Sequence, residues 1–343
     1  MGEVHFIGID LAKTVFHLHG AGRDGTVIFR KKLSRSRVLE FLSKWDKCTV
    51  AMEACATAHF WGREIAKLGH EVKLIPPVYV KPFVKRQKND TNDAEAIAEA
   101  AVRPTMRFVA VKSADQQGLG TVFRSRDLLV RQRTQLMNSL RAHLAEFGIV
   151  SAKGTEAFKA LIAAAHSAKT SLPDDVLEIM GLYVAGIAEC TTKITVLEKK
   201  IKLRTRQDRL TKRLQTMPGV GPMTAAAIQA FAPSLDSFGS GRDFASWLGL
   251  VPKQHSTGGK ARLGRISKMG QQDIRRLLIN GAMSLINATL RPGKLRNKWL
   301  EALLDRKPRL VAAVAIANKM ARALWAMIVK EQDYIEQPQR IAC

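Results

Sequence analysis

The run Val4-His5-Phe6-Ile7-Gly8-Ile9 is short, apolar and rich in branched residues, and it ends in an acid, Asp10. Such a run suits a buried strand. The pattern recurs at Thr49-Val50-Ala51-Met52, which ends in Glu53. Between them, Thr14 to His19 alternates as a half-exposed strand does, Gly22-Arg23-Asp24-Gly25 is a turn, and Thr26 to Arg30 continues as a third strand. Ser34 to Trp45 places Val38, Leu39, Leu42 and Trp45 on one helical face. His59 to Leu68 reads as a helix ended by Gly69, and Glu71 to Ile75 as a fifth strand stopped by Pro76-Pro77. An alanine-rich helix then begins near Asp90, in the stretch Lys88-Asn89-Asp90-Thr91-Asn92-Asp93-Ala94-Glu95. Asp90 and Asp93 are three residues apart and so share one face of that helix. The order β-β-β-α-β-α-β-α brings four acids together from two strand ends and a helix start. Each acid also has a plain structural reading: a turn for Asp10, a dipole-favoured first-turn acid for Glu53, caps for Asp90 and Asp93.

This order is similar to the ribonuclease H-like (RuvC-like) α/β fold, in which carboxylates at these places hold two Mg²⁺ ions. Mg²⁺ is a hard cation that prefers a few carboxylates together with substrate phosphate oxygens. Two such ions about 4 Å apart can activate a nucleophile and stabilise the leaving oxygen of a phosphodiester.

The remainder of the chain is basic. Fifty-five Lys and Arg against 30 Asp and Glu leave a formal charge of +25, spread along all 343 residues. A polyanion, nucleic acid above all, is the natural partner, and a generally basic surface is the alternative. Cys48, Cys55, Cys190 and Cys343 form no CxxC pair, so neither zinc nor a disulfide framework is implied. The N-terminus reads as a strand, with no signal peptide, and no apolar run is expected to reach the ~18 residues of a membrane span. The expectation is a cytosolic protein able to meet DNA and RNA, with no membrane partner.

Three regions are expected: an α/β domain over 1–112, a long-helix region over 113–205, and a mainly α domain over 206–343. In the middle region, Asp115 to Gly148 carries five arginines among regularly spaced leucines, which gives a long basic amphipathic helix. Ser171 to Leu203 reads as a second long helix, with Pro173 in its first turn and a seam of Leu177, Ile179, Met180, Val184, Ile187, Ile194, Leu197 and Ile201. Together they suggest a helical hairpin or coiled coil, used either for dimerisation or for packing on its own domain. Further on, Met217-Pro218-Gly219-Val220-Gly221-Pro222 resembles the turn of a helix-hairpin-helix, whose glycines let backbone N–H groups approach a phosphate. The alternative is a tight turn between packed helices. Phe244 to Pro252 reads as a buried helix and its stop. A glycine-rich basic loop follows, Lys253-Gln254-His255-Ser256-Thr257-Gly258-Gly259-Lys260, with Arg262, Arg265, Ser267 and Lys268 beyond it. Its glycines and cations suit phosphate contact. Leu310 to Val329 is apolar at helical spacing and reads as core.

Gly8-Ile9-Asp10-Leu11-Ala12-Lys13, Met52-Glu53-Ala54-Cys55 and Asn89-Asp90-Thr91-Asn92-Asp93-Ala94 resemble the DEDD motifs of insertion-sequence transposases with a RuvC-like domain, the insertion-sequence 110/1111 family. Gly249-Leu250-Val251-Pro252, Ser256-Thr257-Gly258-Gly259-Lys260 and Ser267-Lys268-Met269-Gly270 look like that family's serine segment. The resemblance implies a transposase that cuts and rejoins DNA at the ends of a mobile element and at its target, working at the nucleoid. It implies Mg²⁺ on Asp10, Glu53, Asp90 and Asp93, and a covalent phosphoserine at Ser256, with Thr257 the neighbouring hydroxyl and Ser267 a weaker candidate. It also implies a noncoding guide RNA and assembly as a homodimer or homotetramer. Lys13, Lys88, Gly219, Gly221, Lys260, Arg262, Arg265 and Lys268 are the expected nucleic-acid contacts, and His255 a phosphate-contact or packing residue. Two rivals stand beside this reading. One is a Mg²⁺-dependent, resolvase-like nuclease that uses water as its nucleophile. The other is a nucleic-acid-binding protein with structural acids and no enzyme activity.

Overall fold

The computed structural model describes residues 3–85, 90–168, 171–260, 262–291 and 298–335, with the side chains of Asp90 and Thr91 outside the description. Two compact units divide the chain, Met1–Gln117 and Gly118–Cys343.

The first unit is built on a five-stranded sheet in the order β3-β2-β1-β4-β5. The strands are β1 (Phe6–Leu11), β2 (Val15–Ala21), β3 (Val27–Ser34), β4 (Thr49–Glu53) and β5 (Glu71–Ile75). The first three form the expected antiparallel meander, and β4 and β5 add to β1 in parallel. Parallel strands need crossovers, supplied here by α1 (Val38–Leu42) and α2 (Ala58–Lys67). A short α3 (Pro77–Val80), absent from the sequence reading, precedes α4 (Asp90–Val102). Side chains alternate across the sheet. Ile7, Ile9, Val50 and Met52 point to a core shared with Val38, Leu42, Trp61 and Ile65 of α1 and α2. Ala51 and Ile75 point to the other face and pack with Ala96, Ile97 and Ala100 of α4. The result is a three-layer α/β/α arrangement.

The second unit is helical: α5 (Ala114–Ala145, with its first turn in the first unit), α6 (Thr155–Ser167), α7 (Asp174–Gln207), α8 (Arg209–Gln215), α9 (Pro222–Phe231), α10 (Gly241–Trp247), α11 (Gln272–Thr289), α12 (Lys298–Arg306) and α13 (Arg309–Val329). The long-helix region expected at 113–205 lies mostly within this unit. Leu119 and Phe123 of α5 and Ile201 of α7 join the core of α8 to α13. The far ends of α5 and α7 form a smaller cluster with α6, a helix absent from the sequence reading. Of the expected seam on α7, Met180, Ile194 and Ile201 are buried, whereas Ile179 is exposed. Pro173 is not in the first turn: it is the cap residue before Asp174.

Two helices, α7 and α13, are long and apolar enough to cross a membrane by length and composition alone, contrary to the sequence expectation. For α13 the apolar stripe belongs to the core, with Ile316, Met320, Leu324 and Met327 all buried. Among the described residues Cys48, Cys55 and Cys190 are free thiols.

Candidate active site

The acids are positioned by small residues. Gly8 and Ala51 are register partners on β1 and β4, as are Ile9 and Met52. Asp10 and Glu53 each follow by one residue, on the face that carries α4. A Cβ at Gly8 would overlap the carbonyl oxygen of Ala94 and lie 2.7 Å from Ala98 N. Helix α4 therefore rests directly on the β1 backbone, which only glycine permits here. Its first turn brings Asp93 to the ends of β1 and β4. Glu53 records the result: partial burial and the charges of Asp10 and Asp93 together hold its carboxyl above the usual carboxylate range.

Asp10, Glu53 and Asp93 are each half-buried. The Asp90 side chain and all of Lys88 lie outside the described residues. Among the described residues no three His, Cys, Asp or Glu side chains form a ready-made metal cage. The donor set nevertheless fits a hard cation: carboxylates from the ends of β1 and β4 and from the first turn of α4 face one another, and burial together with Asp10 and Asp93 disfavours the charged form of Glu53. Helix α4 is held in place by Glu95, which accepts from Lys85 Nζ at 2.5 Å and Arg30 Nη2 at 3.0 Å. Sequence reading assigned Glu95 no role. Lys13 is exposed just beyond β1.

In the second unit the glycine-rich segment is a hairpin, β6 (Pro252–Gln254) paired with β7 (Leu263–Ile266). His255 N donates to Arg262 O at 2.8 Å, and Lys260 N donates to Thr257 O at 3.1 Å. Gly258 and Gly259 have φ of 55° and 76°. Two successive positive φ values define the two-residue turn that best matches strand twist. The glycines are thus explained by hairpin geometry, a signal present in the sequence as Gly-Gly between flanking strand residues. Ser256 and Thr257 stand exposed beside the tip, and the Ser256 hydroxyl accepts from Gln254 Nε2 at 3.1 Å. Lys260, Arg262, Arg265 and Lys268 are exposed, as is His255. Ser267 lies at the hairpin root, where its hydroxyl accepts from Met269 N at 3.4 Å.

Helices α8 and α9 flank the Pro-Gly-Val-Gly turn as expected. Gly219, at φ 82°, is turned inward, 3.0 Å from the Gly281 carbonyl of α11 for an added Cβ. This close helix approach accounts for the glycine. Gly221 is exposed with open space around it.

Comparison with known proteins matches both sets of motifs. Residues 7–149 match a transposase model of the DEDD type from the IS110 group. Residues 211–297 match a model described as Transposase IS116/IS110/IS902 family. A Pseudomonas aeruginosa protein named a probable family 20 transposase is 45% identical over 96% of this chain and 98% of its own length. The transposase for insertion sequence element IS1328 of Yersinia enterocolitica is 40% identical over 95% of this chain and 97% of its own. The transposase for insertion sequence element IS1111A of Coxiella burnetii is 35% identical, covering 97% and 92%.

The chain belongs to the IS116/IS110/IS902 family of transposases. It is an insertion-sequence transposase and acts on DNA. The DEDD domain of this transposase covers the sheet from Ile7 onward and α4, so all four acids lie inside it. The second matched segment contains the hairpin and the whole of α11, including Arg275. Sequence reading assigned Arg275 no role. It donates through Nη1 to Leu248 O at 2.8 Å and Met269 O at 3.0 Å, and burial draws it below its ordinary range.

Proposed function

We propose that this transposase cuts and rejoins DNA by phosphoryl transfer, with Asp10, Glu53, Asp90 and Asp93 serving a divalent cation such as Mg²⁺ and Ser256 attacking the strand. The observation that carries the first half is geometric: Asp10 and Glu53 end the paired strands β1 and β4, and α4, seated on Gly8, brings Asp93 to them, so that burial and both acids raise the Glu53 carboxyl. Carboxylates held together against their own repulsion form a site that suits a positive ion. A divalent cation bound there would neutralise charge on a phosphodiester. The acids' own part is to stay in place, which the Gly8 seat and the Glu95 clamp support.

Ser256 is supported by its place: an exposed hydroxyl beside a hairpin tip, on a hairpin that also exposes Lys260, Arg262 and Arg265, which can receive a phosphate backbone. In the proposed step an oxygen–phosphorus bond forms at Ser256 as one phosphorus–oxygen bond of DNA breaks. The serine proton departs, and the released sugar oxygen takes one up. Reversal on another strand end restores the hydroxyl and rejoins DNA without an outside energy source. The net charge of +25 supports a second polyanionic partner, a guide RNA that would choose sites by base pairing. Exchange of strands requires at least two cuts held together, which supports a homodimer or homotetramer.

The test is covalent trapping. The protein, Mg²⁺, the element's RNA and end-sequence DNA are mixed, denatured and separated. An adduct lost in Ser256→Ala and in Asp93→Ala is expected. An adduct surviving Ser256→Ala but lost in Thr257→Ala moves the nucleophile by one residue. Cleavage without adduct refutes the serine step and favours water as the nucleophile.

A further inference from the structure

A two-stranded hairpin is marginal on its own, and residues 252–260 and 262–265 are all exposed. The position of Ser256 and Thr257 therefore depends on how the two roots of the hairpin are held. Helix α10 ends immediately before the first root. Gly249, at φ 70°, closes it: Gly249 N donates to Ser246 O at 2.8 Å and Leu250 N to Ala245 O at 3.0 Å. This is the paired-bond helix stop that uses a left-handed glycine. The second root crosses it. Ser267 N donates to Val251 O at 2.8 Å and Lys268 N to Gly249 O at 3.2 Å, with Lys268 itself at φ 55°. Gly270, at φ 76°, lies against the Trp247 carbonyl so closely that a Cβ would overlap it.

Leu248 O lies on one root and Met269 O on the other. A single nitrogen, Arg275 Nη1, bridges both. Arg275 sits between Ile274 and Leu278 of α11, both fully buried in the helical core. A continuous path runs from that core through Arg275 to the two roots. A cation at the end of α10 also meets the negative pole of the helix, and charge-assisted bonds are roughly twice as strong as neutral ones.

We infer that Arg275 is a positioning residue: it locks the two roots of the β6–β7 hairpin to each other and to α11, and thereby fixes the attacking hydroxyl. The inference rests on the proposed reading of Ser256, or Thr257, as that hydroxyl. Because one nitrogen makes both bonds, a lysine can replace them in part, its Nζ carrying three donors on a stem about one bond shorter. Methionine fills similar space and makes neither.

The experiment compares the full-length wild type, Arg275→Lys and Arg275→Met in two arms. Hydrogen exchange of segment 245–270 reads the lock, with the amides of the α13 core as a check that each variant is folded. The trapping mixture described above, with its DNA affinity measured separately, reads the chemistry. For Arg275→Met, exchange at Leu250, Ser267 and Lys268 is expected to speed up at least about tenfold and adduct formation to slow by about 10- to 100-fold, the scale for small misplacement of a reacting group. DNA affinity is expected to change by less than about threefold, one phosphate contact or none being lost. Arg275→Lys is expected to restore both arms to within about threefold to fivefold. Wild-type exchange in Arg275→Met overturns the lock whatever the chemistry. Faster exchange with an unchanged adduct rate overturns the positioning role. Adduct loss in Arg275→Lys equal to that in Arg275→Met, with the α13 core intact, also overturns it. A wild type that gives no adduct refutes the nucleophile reading and with it this role, and the exchange arm distinguishes that failure from failure of the lock.

Discussion

Gly8→Ala tests whether the seating of α4 on β1 sets the acid site. An added methyl at Gly8 would lie 2.9 Å from Ala98 Cβ, 2.7 Å from Ala98 N, and in overlap with the Ala94 carbonyl. Carbon atoms in comfortable contact sit about 3.5–4.0 Å apart. Helix α4 must therefore retreat by roughly 0.6–1 Å, or the strand must bend away. Overpacking of this kind costs about 1–3 kcal/mol. At about 2–4 °C per kcal/mol, the transition of the first unit should fall by about 2–12 °C. Asp93 directly precedes Ala94, so the retreat also carries it away from Asp10 and Glu53. Adduct formation, measured well below the transition, should fall by about 10- to 100-fold. Most of the obstruction is backbone, so trimming the neighbour in Gly8→Ala/Ala98→Gly should recover little of either loss. A Gly8→Ala protein that melts within a degree of wild type and reacts at its rate would refute the seating argument. Full rescue by Ala98→Gly would refute its backbone origin.

Three further outcomes are expected. Glu53 is held above the usual carboxylate range, so the metal-free native state binds its proton more tightly than the unfolded chain does; the stability this gives is present below about pH 4 and lost as pH rises through the raised value. Glu53→Gln should accordingly raise the metal-free melting temperature at pH 7, show no such gain near pH 3.5, and weaken stabilisation by added Mg²⁺; an equal or lower melting temperature at pH 7 counts against it. Burial raises the Cys48 thiol to about 11, so iodoacetamide at pH 8 should label exposed Cys55 and spare Cys48 in the folded protein, as read by peptide mass. Asp127 is buried and pairs with Arg126 at 3.3 Å and with Arg276 of α11; Asp127→Ala should cost about 1–3 kcal/mol in urea unfolding, since it strands charges that were paired.

The first unit was legible because its signals are local. Strands β1 and β4 are short apolar runs that each end in an acid, and α2 and β5 are punctuated by Gly69 and Pro76. What escaped was the contact between elements. Gly8 reads as one letter of a motif, and only the structure shows that α4 rests on it. Glu95 carries no signal in the sequence, yet Arg30 and Lys85 meet it from 65 and 10 residues away. The α7 seam shows the same limit. A helical period places Ile179 and Met180 one step apart near the boundary of a stripe, and only packing decides that Met180 faces in and Ile179 out.

The hairpin carries this difference furthest. Its turn was encoded locally by Gly258-Gly259, and its cations are visible in any reading. Its fixation is not local. The chain reverses at a glycine helix stop, runs out to the tip, returns across its own root, and is tied down by Arg275, 27 residues from Leu248 and six from Met269. In sequence Arg275 is one of two adjacent arginines at a helix start, in a chain with 55 basic residues. Nothing in composition separates it from Arg276, which pairs instead with Asp127 and Asp273. In a strongly basic protein most cations are equivalent to the eye, and the distinguishing mark is an acceptor that is a backbone carbonyl rather than solvent or an acid. A cation bound to carbonyls at a helix end contributes position, whereas one left to solvent contributes field. By that criterion Lys260, Arg262 and Arg265, exposed on the hairpin, are the residues whose loss should flatten the salt dependence of DNA binding, by about one unit of slope for each phosphate contact removed. Arg275 should leave that slope nearly unchanged while slowing the chemistry. A salt slope that falls as much in Arg275→Met as in Arg262→Ala would place Arg275 among the phosphate contacts and contradict the distinction.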